Sequence, residues 1–264
     1  MDAKKPAVKV TALITGRGES QKNLCAILGR YLCEYPIIAA KRAECVDDIY
    51  FSTDGDALKQ MARKHDVEVI DRPPEMARAD SPHVDCLLHA LGVIQPPPDV
   101  LVVLLANVGI HHWGIIDRCV ELLEANPDAS AVVPVVKARE YAVNRAMGAL
   151  PARSDDGMPI VFADDKLWYF TPHHFTPFPI DTYFLTHSVW ALRVNKCFGA
   201  TVGTPPWTFM GDCVLPLEVD CGGDIDCIED ARAAERWLIT SGWNPELDMY
   251  ETDRRYWRDF LPRG

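Results

Sequence analysis

Positive charge is scarce in this chain: 27 lysines and arginines stand against 38 aspartates and glutamates, a formal net charge of −11 at pH 7. With no basic stripe to displace counterions from a phosphate backbone, a general nucleic-acid binder is excluded. A small anionic substrate is not, because one or two cations and backbone N–H groups can hold phosphates inside an acidic protein. The nine cysteines form no Cys-x-x-Cys pair, and several sit within apolar runs, as in Val84-Asp85-Cys86-Leu87-Leu88. That argues for reduced, buried thiols and against a disulfide framework or zinc site. No apolar run reaches membrane-spanning length, and Met1-Asp2-Ala3-Lys4-Lys5-Pro6 lacks the apolar region of a secretory signal. The expected location is the cytoplasm. Internal repeats and low-complexity tracts are missing too.

What remains is an ordinary globular composition, 48% hydrophobic and 25% charged. At 264 residues the chain suffices for one large α/β domain or a domain with an insertion. Short β-branched runs alternate with amphipathic helical patterns. Val8 to Thr15 reads as a strand, Asp48 to Ser52 as a second and Glu68 to Ile70 as a third, with a helix from about Asp56 to His65 between the last two. Val84, Leu87, Leu88 and Leu91 recur on one helical face. Val100 to Leu105 is continuously apolar, as in a strand buried on both faces of a parallel sheet. Ile116, Cys119, Val120 and Leu123 mark another helix, and Ala131 to Val136 another strand. Beyond the break described below, Tyr183 to Val194 and Val214 to Val219 read as strands and Ile228 to Thr240 as a helix.

This alternation predicts a Rossmann-like, mainly parallel sheet flanked by helices. Ligands then bind beyond the carboxyl ends of the strands, at Thr15–Lys22, Ser52–Asp56, Asp71–Arg72, Ala106–His112 and around Asp224. The pattern breaks at 138–182, rich in Pro, Asp, His and aromatics, which divides the chain into 1–137, an inserted segment 138–182, and 183–264. Trp168, Tyr169, Phe170 and Phe175 follow no strand or helix period that would bury them in the main core. A two-fold dimer would cover them.

Four stretches could carry chemistry. Gly16-Arg17-Gly18-Glu19-Ser20-Gln21-Lys22-Asn23 is a glycine turn with flanking cations, suited to phosphate or simply to a strand-to-helix turn. It is not a Walker loop, since the Gly-Lys-Ser/Thr ending is absent. Ser52-Thr53-Asp54 closes the second strand, with Asp56 capping the following helix. Arg72, at the end of the third strand, can pair with a phosphate, stack on a base, or join an exposed ion pair. Asp224-Ile225-Asp226 places two carboxylates two residues apart, able to share a divalent cation. Glu229 and Asp230 then favour the positive end of the helix that follows, so metal binding and capping both remain open.

In this order, the glycine turn with Lys22-Asn23-Leu24, Ser52-Thr53-Asp54, Arg72-Pro73 with Ala79-Asp80, and Asp224-Ile225-Asp226 with Asp230 resemble the acylneuraminate cytidylyltransferases. The match covers Val10 to about Leu105 and Phe209 to Leu238. The resemblance implies a CTP-dependent nucleotidyltransferase and a homodimer whose subunits exchange the inserted segment. It implies that Gly16, Arg17, Gly18, Lys22, Asn23 and Arg72 bind the nucleotide and that Asp224 and Asp226 hold Mg²⁺. Arg17, Lys22 and Asp226 would then serve catalysis directly. An acceptor oxygen would attack the α-phosphorus and pyrophosphate would leave.

Two departures matter. The family's longer Ser-Lys-x-x-Pro-x-Lys-Asn-Leu stretch is shortened here to Ser20-Gln21-Lys22-Asn23-Leu24, losing a lysine for which Arg30 is a candidate substitute. The family's Gln-Pro-Thr-Ser-Pro-Leu-Arg acceptor signature is replaced by Leu105-Ala106-Asn107-Val108-Gly109-Ile110-His111-His112. Its Asn-Gly before a later strand is Thr186-His187-Ser188. The acceptor side is therefore rebuilt, with Asn107 and His187 as its polar contacts and His111, His112, His173 or His174 as further candidates. The expected acceptor is a small acid, either an unusual nonulosonate-type sugar acid or a phosphonate. A glycosyltransferase of the GT-A type using Asp-x-Asp, or a nucleotide-binding module without turnover, are the competing readings.

Overall fold

A computed structural model describes residues 8–109, 112–137, 143–145, 159–163, 166–170, 183–199, 203, 207–220, 222, 224–244, 246 and 249–250. The strands of the first half are β1 (Val10–Thr15), β2 (Ala26–Ile27), β3 (Arg30–Tyr31), β4 (Asp48–Thr53), β5 (Glu68–Asp71), β6 (Val100–Leu105) and β7 (Ala131–Lys137). Then come β8 (Val143–Arg145), β9 (Pro159–Ala163), β10 (Lys166–Phe170), β11 (Tyr183–Leu185), β12 (Trp190–Arg193), β13 (Val214–Glu218), β14 (Trp243–Asn244) and β15 (Met249–Tyr250). The helices are α1 (Glu34–Arg42), α2 (Asp56–Lys64), α3 (His83–Val93), α4 (Trp113–Ala125), α5 (Val194–Cys197) and α6 (Ile228–Thr240).

Eight strands form one sheet in the order β11-β7-β12-β6-β1-β4-β5, with β13 also on β7. β5, β4, β1 and β6 are parallel neighbours. β12 enters antiparallel between β6 and β7, and β13 runs parallel to β7. The carboxyl ends of β1, β4, β5, β6, β7 and β13 therefore meet at one edge, together with the start of β12. The result is the expected α/β, Rossmann-like sheet.

Strand alternation fills both faces. On β1, Ala12 and Ile14 join one buried cluster while Leu13 joins the other. On β6, Val100, Val102 and Leu104 face the first, and Leu101 and Val103 the second. That is why the 100–105 run has no polar alternation. A third cluster joins Ile27, Leu32, Tyr35 and Ile38 to Ala231, Ala234 and Leu238 of α6, with Ile225 among them. It fixes the segment in front of α6 to the body of the domain. The eight described cysteines are all unpaired. Burial pushes the Cys33 and Cys197 thiols up to about 12, so they stay protonated and inert.

Several boundaries differ from the sequence expectation. Tyr183–Val194 is not one strand: it breaks after Leu185, resumes at Trp190, and ends in the short α5. The cap of α2 is Gly55, with Asp56 as its first helical residue. Helix α1 was not visible as a pattern, since Pro36 interrupts it, but it lies in the first turn, where its missing N–H costs no helix bond. Within the inserted segment, β8, β10 and β9 form a separate antiparallel sheet, so Trp168, Tyr169 and Phe170 do belong to a strand. Phe175, His111, His173 and His174 lie outside the described residues.

His112 is 2% exposed and caps α4, its Nδ1 accepting the Gly114 N–H at 3.0 Å. It is therefore a structural residue and is not among those lining the strand-end cavity described below. Burial pushes its pKa down to about 3. Below pH 6.5 the unfolded chain binds this proton and the folded one does not, so stability falls as pH drops from about 6.5 towards 3. One such histidine contributes a slope of about 1.4 kcal/mol per pH unit. Asn caps equally well without titrating. The acid slope of His112→Asn, from urea unfolding between pH 5.5 and 4, is expected to be shallower than wild type by about that amount.

Candidate active site

The loops leaving β1, β5 and β6, with the segment before α6, enclose a cavity of about 400 Å³ at the strand ends. The β1 loop lies directly on the β4 loop. A Cβ on Gly18 would stand 2.6 Å from Gly55 Cα, and one on Gly16 would stand 2.8 Å from Ala106 Cβ. Only glycine permits that approach. It lets Asp54 accept the Gly18 N–H at 2.8 Å, so the Ser52-Thr53-Asp54 turn holds the first loop in place. Asn23, buried, ties the same loop down by donating from Nδ2 to the Arg17 carbonyl at 2.9 Å.

Arg72 is 6% exposed and lines the cavity. Its Nη2 donates to the Ser52 carbonyl at 2.7 Å and its Nε to Ser52 Oγ at 3.2 Å. Among the described residues no carboxylate pairs with it, and burial holds its pKa below the usual arginine range. A buried guanidinium held only by neutral oxygens is an anion or carbonyl site in waiting, because the desolvated charge is uncompensated.

Across the cavity stand Asp224 and Asp226. Ile225 between them is 5% exposed and packs into the third cluster, so the two flanking carboxylates turn the other way, towards the cavity. Asp226 is ion-paired to Lys22 Nζ, and that contact raises the lysine's pKa. Asp224 accepts from Asn107 Nδ2. Burial, then the neighbouring Asp226 charge, pushes the Asp224 carboxyl up. The capping role falls to Asp230 instead, whose carboxylate accepts from the N–H groups of Asp226 and Cys227 at 2.9 and 3.0 Å. The alternatives left open by spacing thus separate: Asp230 caps α6, and Asp224 and Asp226 are left for the cavity.

Of the residues singled out in the sequence, the cavity gathers Gly16, Arg17, Lys22, Asn23, Arg72, Asn107, Asp224 and Asp226. Gly18 supports the loop from outside the wall. His187 does not line the cavity, but packs edge-on to Trp190 and Trp207 close enough to Asp224 for its charge to act on it. Two further residues stand on the wall. Arg78 lines the cavity, where Arg30 does not, and bonds Asp80 through two nitrogens at 3.0 Å. Its place within Arg72–Ser81 was the available signal. His83 begins α3 and meets Thr15 Oγ1 at 3.2 Å. Burial, then the charge of Arg72, holds His83 neutral down to about pH 4. Nothing in its local sequence marks it.

No protein-family model matches the chain. Among solved structures it is similar to CMP:2-keto-3-deoxy-manno-octonic acid synthetase complexed with CTP, at 13% identity over 88% of this chain and 99% of that one, TM-score 0.61. It is also similar to 4-diphosphocytidyl-2C-methyl-D-erythritol synthase from Anaerococcus prevotii, at 16% identity over 88% and 97%, TM-score 0.57. A further 4-diphosphocytidyl-2C-methyl-D-erythritol synthase matches at 12% identity over 88% and 98%, TM-score 0.61. Likeness at such low identity establishes the Rossmann-like fold. No helix among the described residues is long and apolar enough to cross a membrane.

Proposed function

We propose that this chain is a CTP-dependent cytidylyltransferase that moves CMP onto a small acidic acceptor and releases pyrophosphate. The observation that carries the reading is one cavity, at the ends of parallel strands, whose walls hold both the cations Arg17, Lys22, Arg72 and Arg78 and the carboxylates of Asp224 and Asp226. Cations alone would suit any anion. Cations facing a carboxylate pair suit a triphosphate carried with a divalent metal. The three similar structures are synthetases of cytidylyl-bearing products, one of them in complex with CTP, which favours cytidine among the nucleotides.

Mg²⁺ fits the residues present. Asp224 and Asp226 offer hard oxygen ligands, and a dication relieves the burial and mutual repulsion that raise the Asp224 carboxyl. Two protein carboxylates suffice because Mg²⁺ keeps waters and substrate phosphates as its other ligands. When bound, the ion neutralises charge on the phosphoryl oxygens and orients them. The chain's own residues do the rest. The Gly16–Asn23 loop brings backbone N–H groups to the phosphates, and Arg17 and Lys22 add charge there. Arg72 holds the nucleotide from the β5 side. The acceptor oxygen forms a bond to the α-phosphorus as the α–β bridging bond breaks, and the electron pair leaves with pyrophosphate.

For the acceptor this reading keeps His187, whose Nδ1 is buried without a partner among the described residues, while the amide of Asn107 is taken up by Asp224. Few matched donors favour a compact dianion, such as a phosphonate, or a sparsely hydroxylated sugar acid over N-acetylneuraminate. The inserted segment 138–182, with its own small sheet, is the part expected to join two subunits into a homodimer.

The test is a thermal-shift comparison with Mg²⁺, followed by product analysis. CTP is expected to raise Tm more than ATP or GTP, by about 2.7 kcal/mol of added stability at a hundredfold excess over Kd. Incubation with keto sugar acids and phosphonates should yield pyrophosphate and a CMP adduct by mass, with N-acetylneuraminate a poor acceptor. Equal shifts with the three nucleotides would remove the cytidine assignment. Free nucleoside diphosphate would point to a glycosyltransferase, and tight CTP binding with no pyrophosphate to a binding module.

A further inference from the structure

The segment after β6 and the segment before α6 are stitched together by a backbone bridge, with its hydrogen bond, and by a side-chain hydrogen bond. Val108 and Asp224 form an isolated antiparallel bridge. The Ile225 N–H donates to the Asn107 carbonyl at 3.1 Å. Asn107 Nδ2 donates to Asp224 Oδ1. The β6 end is itself anchored, since the Ala106 N–H donates to the Thr15 carbonyl at 3.0 Å. Asn107 thus stands on a rigid strand end, with both its backbone and its amide committed to the Asp224 segment. Asn107, expected from its place after β6 to contact the acceptor, instead donates to Asp224.

We propose that Asn107 is a positioning residue of the divalent-cation site: its amide fixes the Asp224 carboxylate so that the second oxygen is presented beside Asp226. The inference rests on the cytidylyltransferase reading and adds to it a residue that acts on the metal through its ligand. Two like charges facing one cavity repel and would swing apart. Each is restrained here by a nitrogen donor from a different strand end, Lys22 after β1 for Asp226 and Asn107 after β6 for Asp224. Lys22 must also serve phosphate, whereas Asn107 carries no charge and can keep its bond when a cation arrives. A hydrogen bond to the oxygen not used for the metal orients a carboxylate ligand, and losing such a partner costs about 10- to 100-fold in metal affinity.

The experiment measures Mn²⁺ binding to the CTP complex by the loss of the free-ion resonance signal, with no acceptor present. Asn107→Ala is expected to weaken Mn²⁺ by about 10- to 100-fold, with CTP affinity in EDTA within about twofold of wild type. Asn107→Asp, close to isosteric, is expected to raise Tm on adding Mn²⁺ by more than wild type does, because it adds a third carboxylate. This variant also keeps the test open if the alanine variant folds poorly. Wild-type Mn²⁺ affinity in Asn107→Ala overturns the proposal, as does an unchanged Mn²⁺ response in Asn107→Asp. Equal losses of CTP with and without metal overturn it too, by making Asn107 a nucleotide or structural residue. A wild-type protein that binds no Mn²⁺ with CTP overturns the underlying reading itself, a result recognisably different from the others.

Discussion

Asp226→Asn is expected to lower kcat by roughly two to four orders of magnitude while leaving the fold intact. A metal ion stabilising phosphoryl charge contributes several kcal/mol to the transition state, and about 1.4 kcal/mol is tenfold in rate. An amide is a poorer ligand for a hard cation than a carboxylate. The structural cost is small by comparison. Asp226 is exposed, with its side chain 68% accessible, and its ion pair with Lys22 is of the kind worth about 0–1 kcal/mol. The capping box of α6 joins Cys227 to Asp230, and the substitution leaves both side chains untouched. Pyrophosphate release measured beside the Tm separates the two effects. Asp224→Asn should behave alike in rate but lose less as a charge, since its carboxyl is already disfavoured by burial. Full activity in both variants would mean that the pair merely begins the last helix.

Arg72→Met is expected to weaken CTP binding by at least about 30-fold, with the Tm of the free protein unchanged or higher. Removing one member of a buried charge interaction costs about 2–5 kcal/mol in binding. In the free protein the same guanidinium is buried with Ser52 as its hydrogen-bond partner among the described residues, and replacing such a charge with an apolar side chain of similar size is often neutral or stabilising. The Ser52 carbonyl is not orphaned by the change, because it also accepts the Gly16 N–H at 3.2 Å, while the Ser52 hydroxyl loses the Arg72 Nε donor. Arg72→Lys would not restore binding, since a point charge cannot reproduce the planar fork that reaches both Ser52 and the ligand. The measurement is CTP titration calorimetry alongside thermal unfolding without nucleotide. A large fall in free-state Tm with unaltered CTP affinity would make Arg72 a strut between β4 and β5 instead.

What could be read along the chain was whatever local periodicity encodes. The buried strand Val100–Leu105 and the helix Ile228–Thr240 were legible to the residue, because uninterrupted apolar character and a 3.6-residue period are carried by neighbours in sequence. The strand-helix alternation fixed a parallel sheet in the same way, and strand ends then pointed to Thr15–Lys22, Arg72 and Asp224–Asp226. The α1 helix was missed because Pro36 obscures its pattern, though at that position it breaks no bond. The split of 183–194 was hidden because β12 is cut to fit antiparallel between β6 and β7, a demand made by distant strands.

Only the tertiary structure could decide which charges meet. Lys22 and Asp226 are 204 residues apart, and Asn107 and Asp224 are 117 apart, yet each pair is in contact. It also gave Arg78 rather than Arg30 to the cavity, kept His83 neutral by surrounding it with protein and Arg72, and turned His112 from an acceptor candidate into a helix cap. The sequence determined the elements, their order and the residue types available for phosphate and metal, because those follow from local patterning. Burial and partnership followed from strand order and loop packing, where residues remote in sequence are brought within a few ångströms, and that proximity sets each group's charge, hydrogen bonding and access to the cavity.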